Sequence, residues 1–362
     1  MHAETHSPLR VILLVFIFGW SAIGSATEAP KNHGKPSPSD WLPSKIDDEG
    51  LRERWTFEAL DSAGNLIQAE LRHSNQGLND HKAAFSLLHT DPEGKQTTCR
   101  GISEPGTWSG SLDAATGEAT GEARIKMGRA QARLGLERQK LSIHCPEMKV
   151  DLDFQNLEPA WQPKFFADGA GSLTLLNPRG KVKGRIELKD KNQEFSGLGW
   201  ITHQRSDEPA HRLWRRRIQI RGTGKHASLH CEILDLKAKH DARQETWCIL
   251  ADDKGLRLAS TRLVWQLSAF IRDDSQGPDV IMPRRLRASI DGAKIDVMLG
   301  ALRGKEDPAA KLGRLSRSAS RMSNKAYDYF FDCVFSVKLQ TEVGPFEPQL
   351  SPGRCRIEFN GT

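Results

Sequence analysis

From Arg54 onward, apolar residues recur at every second position in runs of five to nine, and each run ends in a cluster of turn-forming residues. Trp55, Phe57 and Ala59 share one face of such a run. Asp61-Ser62-Ala63-Gly64-Asn65 turns the chain, and Ile67, Ala69 and Leu71 return along it. A period of two is that of a half-buried β-strand, and the pair reads as a hairpin. Further runs lie at Ala83–His89, Gly121–Met127, Ala130–Leu136, Lys140–His144 and Lys149–Phe154. In the last of these, Val150, Leu152 and Phe154 alternate with Asp151 and Asp153, so one face is dry and the other wet. A second series follows at Arg212–Arg221, Ala227–Leu234, Glu245–Leu250, Leu256–Ser260, Leu263–Leu267, Leu286–Ile290, Lys294–Leu299, Tyr327–Leu339 and Arg354–Phe359. No long helical period separates these runs, which excludes an α/β fold and points to antiparallel sandwiches or barrels.

The N-terminus is of another kind. Arg10 precedes the short apolar core VILLVFIFGW and the small residues Gly24-Ser25-Ala26, the pattern of a secretory signal over residues 1–26. The core is shorter than the roughly 20 residues a spanning helix needs, and it is cleaved or retained as an anchor. Residues 27–48, rich in Pro, Ser, Lys and Asp, read as a tether. Export and an even count of six cysteines predict a periplasmic or secreted protein with disulfides. Cysteines on neighbouring strands of one barrel come within the roughly 4 Å Cβ separation a bridge needs, which pairs Cys99 with Cys145, Cys231 with Cys248 and Cys333 with Cys355. No C-x-x-C or clustered Cys/His spacing suggests a metal site. The length suits two domains of about 150 residues, placed at 49–206 and 207–362. The net charge of +6 and 27% charged residues are those of an ordinary globular protein, and with an export signal and no recognition motif they do not point to nucleic acid.

The segment Gly171–Arg221 narrows function most. Ser172–Leu176 and Lys181–Leu188 alternate as strands about an Asn177-Pro178-Arg179-Gly180 turn. Gly197-Leu198-Gly199-Trp200, a polar cluster around His203 and a Trp-led strand then follow. This order resembles the hydroxyneurosporene synthase/AttH family of tandem lipocalin-like barrels, which includes carotenoid hydratases. The likeness extends thinly over residues 50–361. It includes the Lys149–Trp161 segment with its proline-containing loop and the terminal Gly353–Gly361 strand with Glu358. The family motif continues with Asp-His and closes with Gly, whereas this chain has Thr202, His203 and Ser206. The resemblance implies an all-β fold of two lipocalin-like antiparallel barrels. It also implies an apolar ligand such as an isoprenoid, polyketide or acyl lipid, and no cofactor.

Within that frame, His203 is the candidate proton carrier, with Asp207 close enough in sequence to orient it; the alternative is a structural loop histidine. In the family's hydratases the acid beside the histidine helps protonate a double bond. Thr202 cannot do so, which leaves Glu358 as another carboxylate able to enter the cavity. The family's glycines at 197 and 199 read as close strand packing and not as a cofactor loop, since no helix follows them. On the strand from Arg212, Trp214, Arg216, Ile218 and Ile220 share a face. Arg216 is then a cation in an apolar barrel that needs a carboxylate or an acidic ligand, or one that snorkels at the mouth. Trp200, His203, Trp214 and Arg216 are expected around one ligand mouth. The insert 302–325 carries Arg303, Lys305, Lys311, Arg314, Arg317, Arg321 and Lys325, with Leu312, Leu315, Ala319 and Met322 at helical spacing. It reads as a solvated basic segment or an amphipathic helix on anionic lipid. No nucleophile elbow, P-loop, H-E-x-x-H or dinucleotide loop is present. The reading is an exported small-molecule protein, a cofactor-free hydratase, isomerase or cyclase or else a non-catalytic carrier. A structural or attachment module is the other class.

Overall fold

The computed structural model describes Pro36, Asp40 and residues 51–75, 81–112, 122–162, 167–189, 191–273, 280–290, 292–306, 326–341, 344–350 and 353–360. The expected signal segment 1–26 and residues 307–325 of the basic insert lie outside these. Among the described residues, the alternating runs form two antiparallel sheets, with only short helical turns besides. The first comprises β1 (Arg52–Asp61), β2 (Leu66–Ser74), β3 (Lys82–Thr90), β4 (Gln96–Ser103), β5 (Trp108–Leu112), β6 (Ala123–Met127), β7 (Ala130–Leu134), β8 (Arg138–His144), β9 (Met148–Asn156), β10 (Gly171–Leu188) and β11 (Lys191–Ser206). The second comprises β12 (Trp214–Thr223), β13 (Ala227–Leu236), β14 (Gln244–Asp252), β15 (Gly255–Ser260), β16 (Val264–Arg272), β17 (Ile281–Ile290), β18 (Ala293–Glu306), β19 (Ala326–Thr341), β20 (Gly344–Phe346) and β21 (Gly353–Asn360). Sequential strands pair in both sheets, and the first and last long strands join: β1 with β11, β12 with β21. One sheet is a nearly closed barrel and the other a half-barrel, the tandem lipocalin-like arrangement.

Each barrel buries the apolar set that the alternation marks out. In the first, Trp55, Phe57, Phe154, Val182, Phe195 and Ile201 meet inside. In the second, Ile218, Ile220, Leu229, Ile233, Leu286, Val297 and Ile357 do. Glycines at 197 and 199 let β11 lie close: a Cβ on Gly197 would sit 2.1 Å from the Leu60 carbonyl oxygen, and one on Gly199 2.7 Å from Val182.

The six cysteines all face barrel interiors and pair as Cys99–Cys145, Cys231–Cys248 and Cys333–Cys355. Two of the bridges join neighbouring strands: Cys231 and Cys248 are directly opposed between β13 and β14, and Cys333 and Cys355 lie on β19 and β21. Cys99–Cys145 does not. Cys99 is on β4 and Cys145 follows β8, strands far apart in the sheet order, so this bridge ties the barrel across its interior. Disulfides of this number fit an oxidising compartment.

Two local readings need correction. Asn177-Pro178-Arg179-Gly180 is not a turn. It is an irregularity inside the single strand β10, where the register with β11 slips between Leu175 and Asn177 and again between Asn177 and Gly180. Turn-type residues suit a bulge equally well, and here the bulge aims Arg179 at the second barrel. The buried Arg179 guanidinium donates from Nε to Glu158 at 2.7 Å, from one terminal nitrogen to Asp253 at 2.6 Å and from the other to the Lys225 carbonyl at 2.8 Å. Beside it the Pro178 carbonyl accepts from His230 Nε2 at 2.5 Å. Residues 302–306, expected to begin the basic insert as a solvated segment or an amphipathic helix, instead extend β18: Leu302 pairs with Phe331 and Lys305 with Tyr329.

Replacing Arg179 with Met should cost about 3 to 5 kcal/mol, because Glu158 is left charged and buried. Adding Glu158→Leu should recover most of that loss. Urea denaturation of the two variants checks this, and equal stability of single and double variants would contradict it.

Candidate functional site

Alternation along β11 sends neighbouring side chains to opposite sides. Ile201 and His203 point into the first barrel, whereas Trp200, Thr202 and Gln204 point at the second. The expected site residues therefore divide among three places.

The first is the end of the first barrel. His203 stacks on Trp55, its partner in the β1–β11 register, with ring centroids 4.7 Å apart. Its Nδ1 donates to the Asp40 carbonyl at 2.6 Å, which fixes the proton on that nitrogen and turns Nε2 toward Glu53, 3.5 Å away. Glu53 also lies 4.0 Å from His73, and His73 packs on Trp108 at 4.2 Å. Burial holds His73 below the usual histidine range. Glu53, His73 and His203 are 2%, 1% and 4% exposed, so this acid–base cluster is shut away from solvent. Asp207 does not orient His203. It is exposed and lies 3.8 Å from Arg205. Glu53, 150 positions away along the chain, takes the place beside the histidine, a pairing that only the β1–β11 register creates. Asp40, within the expected tether, sits directly on the cluster.

The second place is the seam between the barrels. Its apolar half gathers Trp161, Leu173, Leu175, Trp214, Leu234, Trp247 and Ile249. Its charged half is centred on Arg217, 1% exposed, which donates to Glu232 and Gln204 at 2.5 Å each and lies over the Trp214 ring at 5.3 Å. Trp247 and Gln219 donate to the same Glu232 at 2.9 and 3.0 Å. Arg221 lies over Trp200 at 5.9 Å. The expected Glu358 is here and not in a barrel cavity. Burial works to raise its carboxyl, but Arg356, Arg217 and Arg54 outweigh it and hold the group down to about 2. Asp328, opposite it across β19–β21, is pushed up by burial. His230 is held down to about 3 by burial and by Arg221.

The third place is the rim of the second barrel. A register shift between Trp214 and Arg216 separates these two, so Trp214 faces the seam while Arg216 stays on the Ile218 side. The bulge was not visible in the alternation of the sequence. Arg216 is paired with Asp235, at 2.7 Å through Nε and 2.5 Å through a terminal nitrogen. Beside it are Phe359, its register partner, and Tyr327, the register partner of Phe359. Lys305 lies 5.3 and 5.4 Å from the rings of Tyr327 and Tyr329 and 2.5 Å from Asp273. Tyr329 donates to Asp273 at 2.7 Å, and burial followed by Asp273 raises its phenol, so it stays a donor. Trp200, His203, Trp214 and Arg216 thus do not ring one mouth: two tryptophans share the seam, and the other two residues stand at separate barrel ends.

The interiors also differ. Among the described residues, the first barrel core has one partly buried apolar neighbour, Leu188. The second has seven: Leu258, Leu267, Ile271, Tyr327, Phe335, Phe346 and Phe359. A depression of about 220 Å³ on the first barrel is lined by the polar side chains Gln131, Arg133, Lys140 and Ser142. Among the described residues, no group of three or more His, Cys, Asp or Glu is placed to hold a metal ion.

No family model matches the sequence, and no curated protein does. Solved structures match in fold. CghA, also solved with Sch210972 bound, superposes with a TM-score of 0.61 at 9% identity, over 86% of this chain and 88% of that one. An AttH-type protein from Nitrosomonas europaea gives 0.57 at 13% identity, over 90% and 96%. Kievitone hydratase from Nectria haematococca gives 0.54 at 9%, over 92% and 97%. The chain thus has the tandem lipocalin-like fold of the hydroxyneurosporene synthase/AttH family.

His230 titrates near 6.5 when unfolded and about 3 when folded, so the unfolded state binds more protons between those values. Stability present above pH 6.5 should fall toward pH 3, by up to about 1.4 kcal/mol per pH unit from this group. Gln at 230 can still donate to Pro178 and does not titrate. His230→Gln should therefore flatten the decline in urea midpoint between pH 6.5 and 4, and an unchanged slope would contradict the assignment.

Proposed function

We propose that this protein is an exported carrier of an apolar small molecule, held against the interior of the second barrel. The supporting observation is the contrast, among the described residues, between a first core with one partly buried apolar neighbour and a second core with seven apolar side chains packed on it and left in partial contact with water. Apolar surface left wet inside a concave sheet is stabilised by any ligand that covers it, at about 25 cal/mol per Å² before the costs of association. The lipocalin-like fold is consistent with that role, and the bound Sch210972 of CghA shows one such fold holding a small organic molecule. The expected signal segment and the three disulfides agree with delivery to the periplasm or beyond.

Carrier is favoured over enzyme by the state of the candidate acids. Thr202 stands where the family has aspartate, His203 is buried beneath Asp40, and Glu358 stays ionised at neutral pH. The specific observation on the enzyme side is the Asp328–Glu358 pair, whose pKa values are driven apart as in acid–base dyads. A hydratase, isomerase or cyclase of this kind would hold its substrate at the seam and not in the second barrel, with Asp328 as proton donor beside Arg356, and Asp328→Asn should then abolish turnover.

Native mass spectrometry of protein purified from its own membrane-containing extract should reveal a co-purifying apolar compound. Ile271→Glu should remove it while His203→Gln leaves it bound. Retention in the first variant, or loss in the second, would place the ligand elsewhere.

A further inference from the structure

The rim of the second barrel carries chemistry that an all-apolar ligand would not need. Arg216, Phe359 and Tyr327 form one row across β12, β21 and β19, and Lys305 stands on β18 opposite Tyr329 in the neighbouring row, with its ammonium 5.3 Å from the Tyr327 ring. The side chains of Arg216 and Lys305 are 20% and 27% exposed, so both cations are mostly covered yet reach water at the edge of apolar surface. Both of the chain's tyrosines are here, with their rings 5.3 and 5.4 Å from the same ammonium group.

We propose that this rim anchors the carboxylate of a long-chain acid whose hydrocarbon lies on Leu267, Ile271 and Phe359. The inference rests on the second barrel being the ligand site. Its physical basis is the way Asp273 is shared. Asp273 accepts from both Lys305 and the Tyr329 hydroxyl. When Lys305 turns to an incoming carboxylate, Asp273 keeps the phenol as a donor, so no buried anion is stranded. The ammonium remains against the faces of Tyr327 and Tyr329, where a cation is favoured, and its long stem allows the turn. Arg216, held by Asp235 on the same rim, adds a second positive group within the row. A neutral chain of equal length leaves Lys305 on Asp273 and Arg216 on Asp235 and gains nothing from either, whereas a carboxylate gains the Lys305 ammonium, and a ligand with a cationic head would have to expel it. The two cations therefore select an anion.

The test uses the full-length protein with two fluorescent probes of equal chain length, one ending in a carboxylate and one in an alcohol. Wild type should bind the carboxylate about tenfold more tightly. Lys305→Met should bring the carboxylate to the affinity of the alcohol and leave the alcohol unchanged. Asp273→Asn retains an acceptor for Tyr329 and removes the competing charge, so it should tighten carboxylate binding several-fold. Equal affinity of wild type for both probes would overturn the anchor while leaving the second-barrel site intact, as would no tightening in Asp273→Asn. If wild type binds neither probe, both the anchor and the second-barrel reading fail. Tighter binding of a quaternary-ammonium probe of the same length would reverse the sign of the head group and overturn the proposal.

Discussion

Arg179 is the interaction on which the two-barrel arrangement depends. Its guanidinium leaves the first barrel through an irregular strand and ends on Glu158, Asp253 and the Lys225 carbonyl. A buried guanidinium is costly unless each of its donor directions is met, and here the partners come from both halves of the chain. The Pro178 carbonyl on His230, the apolar seam around Trp214 and Trp247, and the Arg217–Glu232 pair continue the same contact along the barrels. With so much of the seam occupied by paired charge, the space for an apolar guest lies within a barrel.

The two barrels then take different tasks. The first spends its interior on packing: Trp55, Phe57 and Phe154 fill it, Cys99–Cys145 ties it across, and even its histidine cluster is enclosed. The second leaves part of its apolar lining in contact with solvent and rings one end with paired cations and two tyrosines. A stable half and a receptive half in one chain let ligand surface form without loss of the fold.

Much of the fold is legible in the sequence because a period of two is local: the hairpin at Trp55–Leu71, the strand at Val150–Phe154 and the series after Arg212 are where alternation puts them. The glycines at 197 and 199 also carry their reason on their face. What fails is whatever depends on register. Asn-Pro-Arg-Gly has the composition of a turn, and only the pairing of β10 with β11 reveals a bulge. Glu53 meets His203 because β1 returns beside β11, which no sequence distance suggests. The shift before Arg216 parts it from Trp214, although strict alternation would keep them together. The cysteine pairing was legible, but the neighbouring-strand reason for it holds for only two of the three bridges.

The central claim is that the ligand lies in the second barrel, and photolabelling locates it most directly. An apolar diazirine probe, activated on the intact protein and mapped by peptide mass spectrometry, should mark β16, the start of β19 and the end of β21, around Ile271, Tyr327 and Phe359. Labels concentrated instead on the first barrel at Trp55 and Phe57, or on the seam at Trp200 and Trp214, would contradict the account.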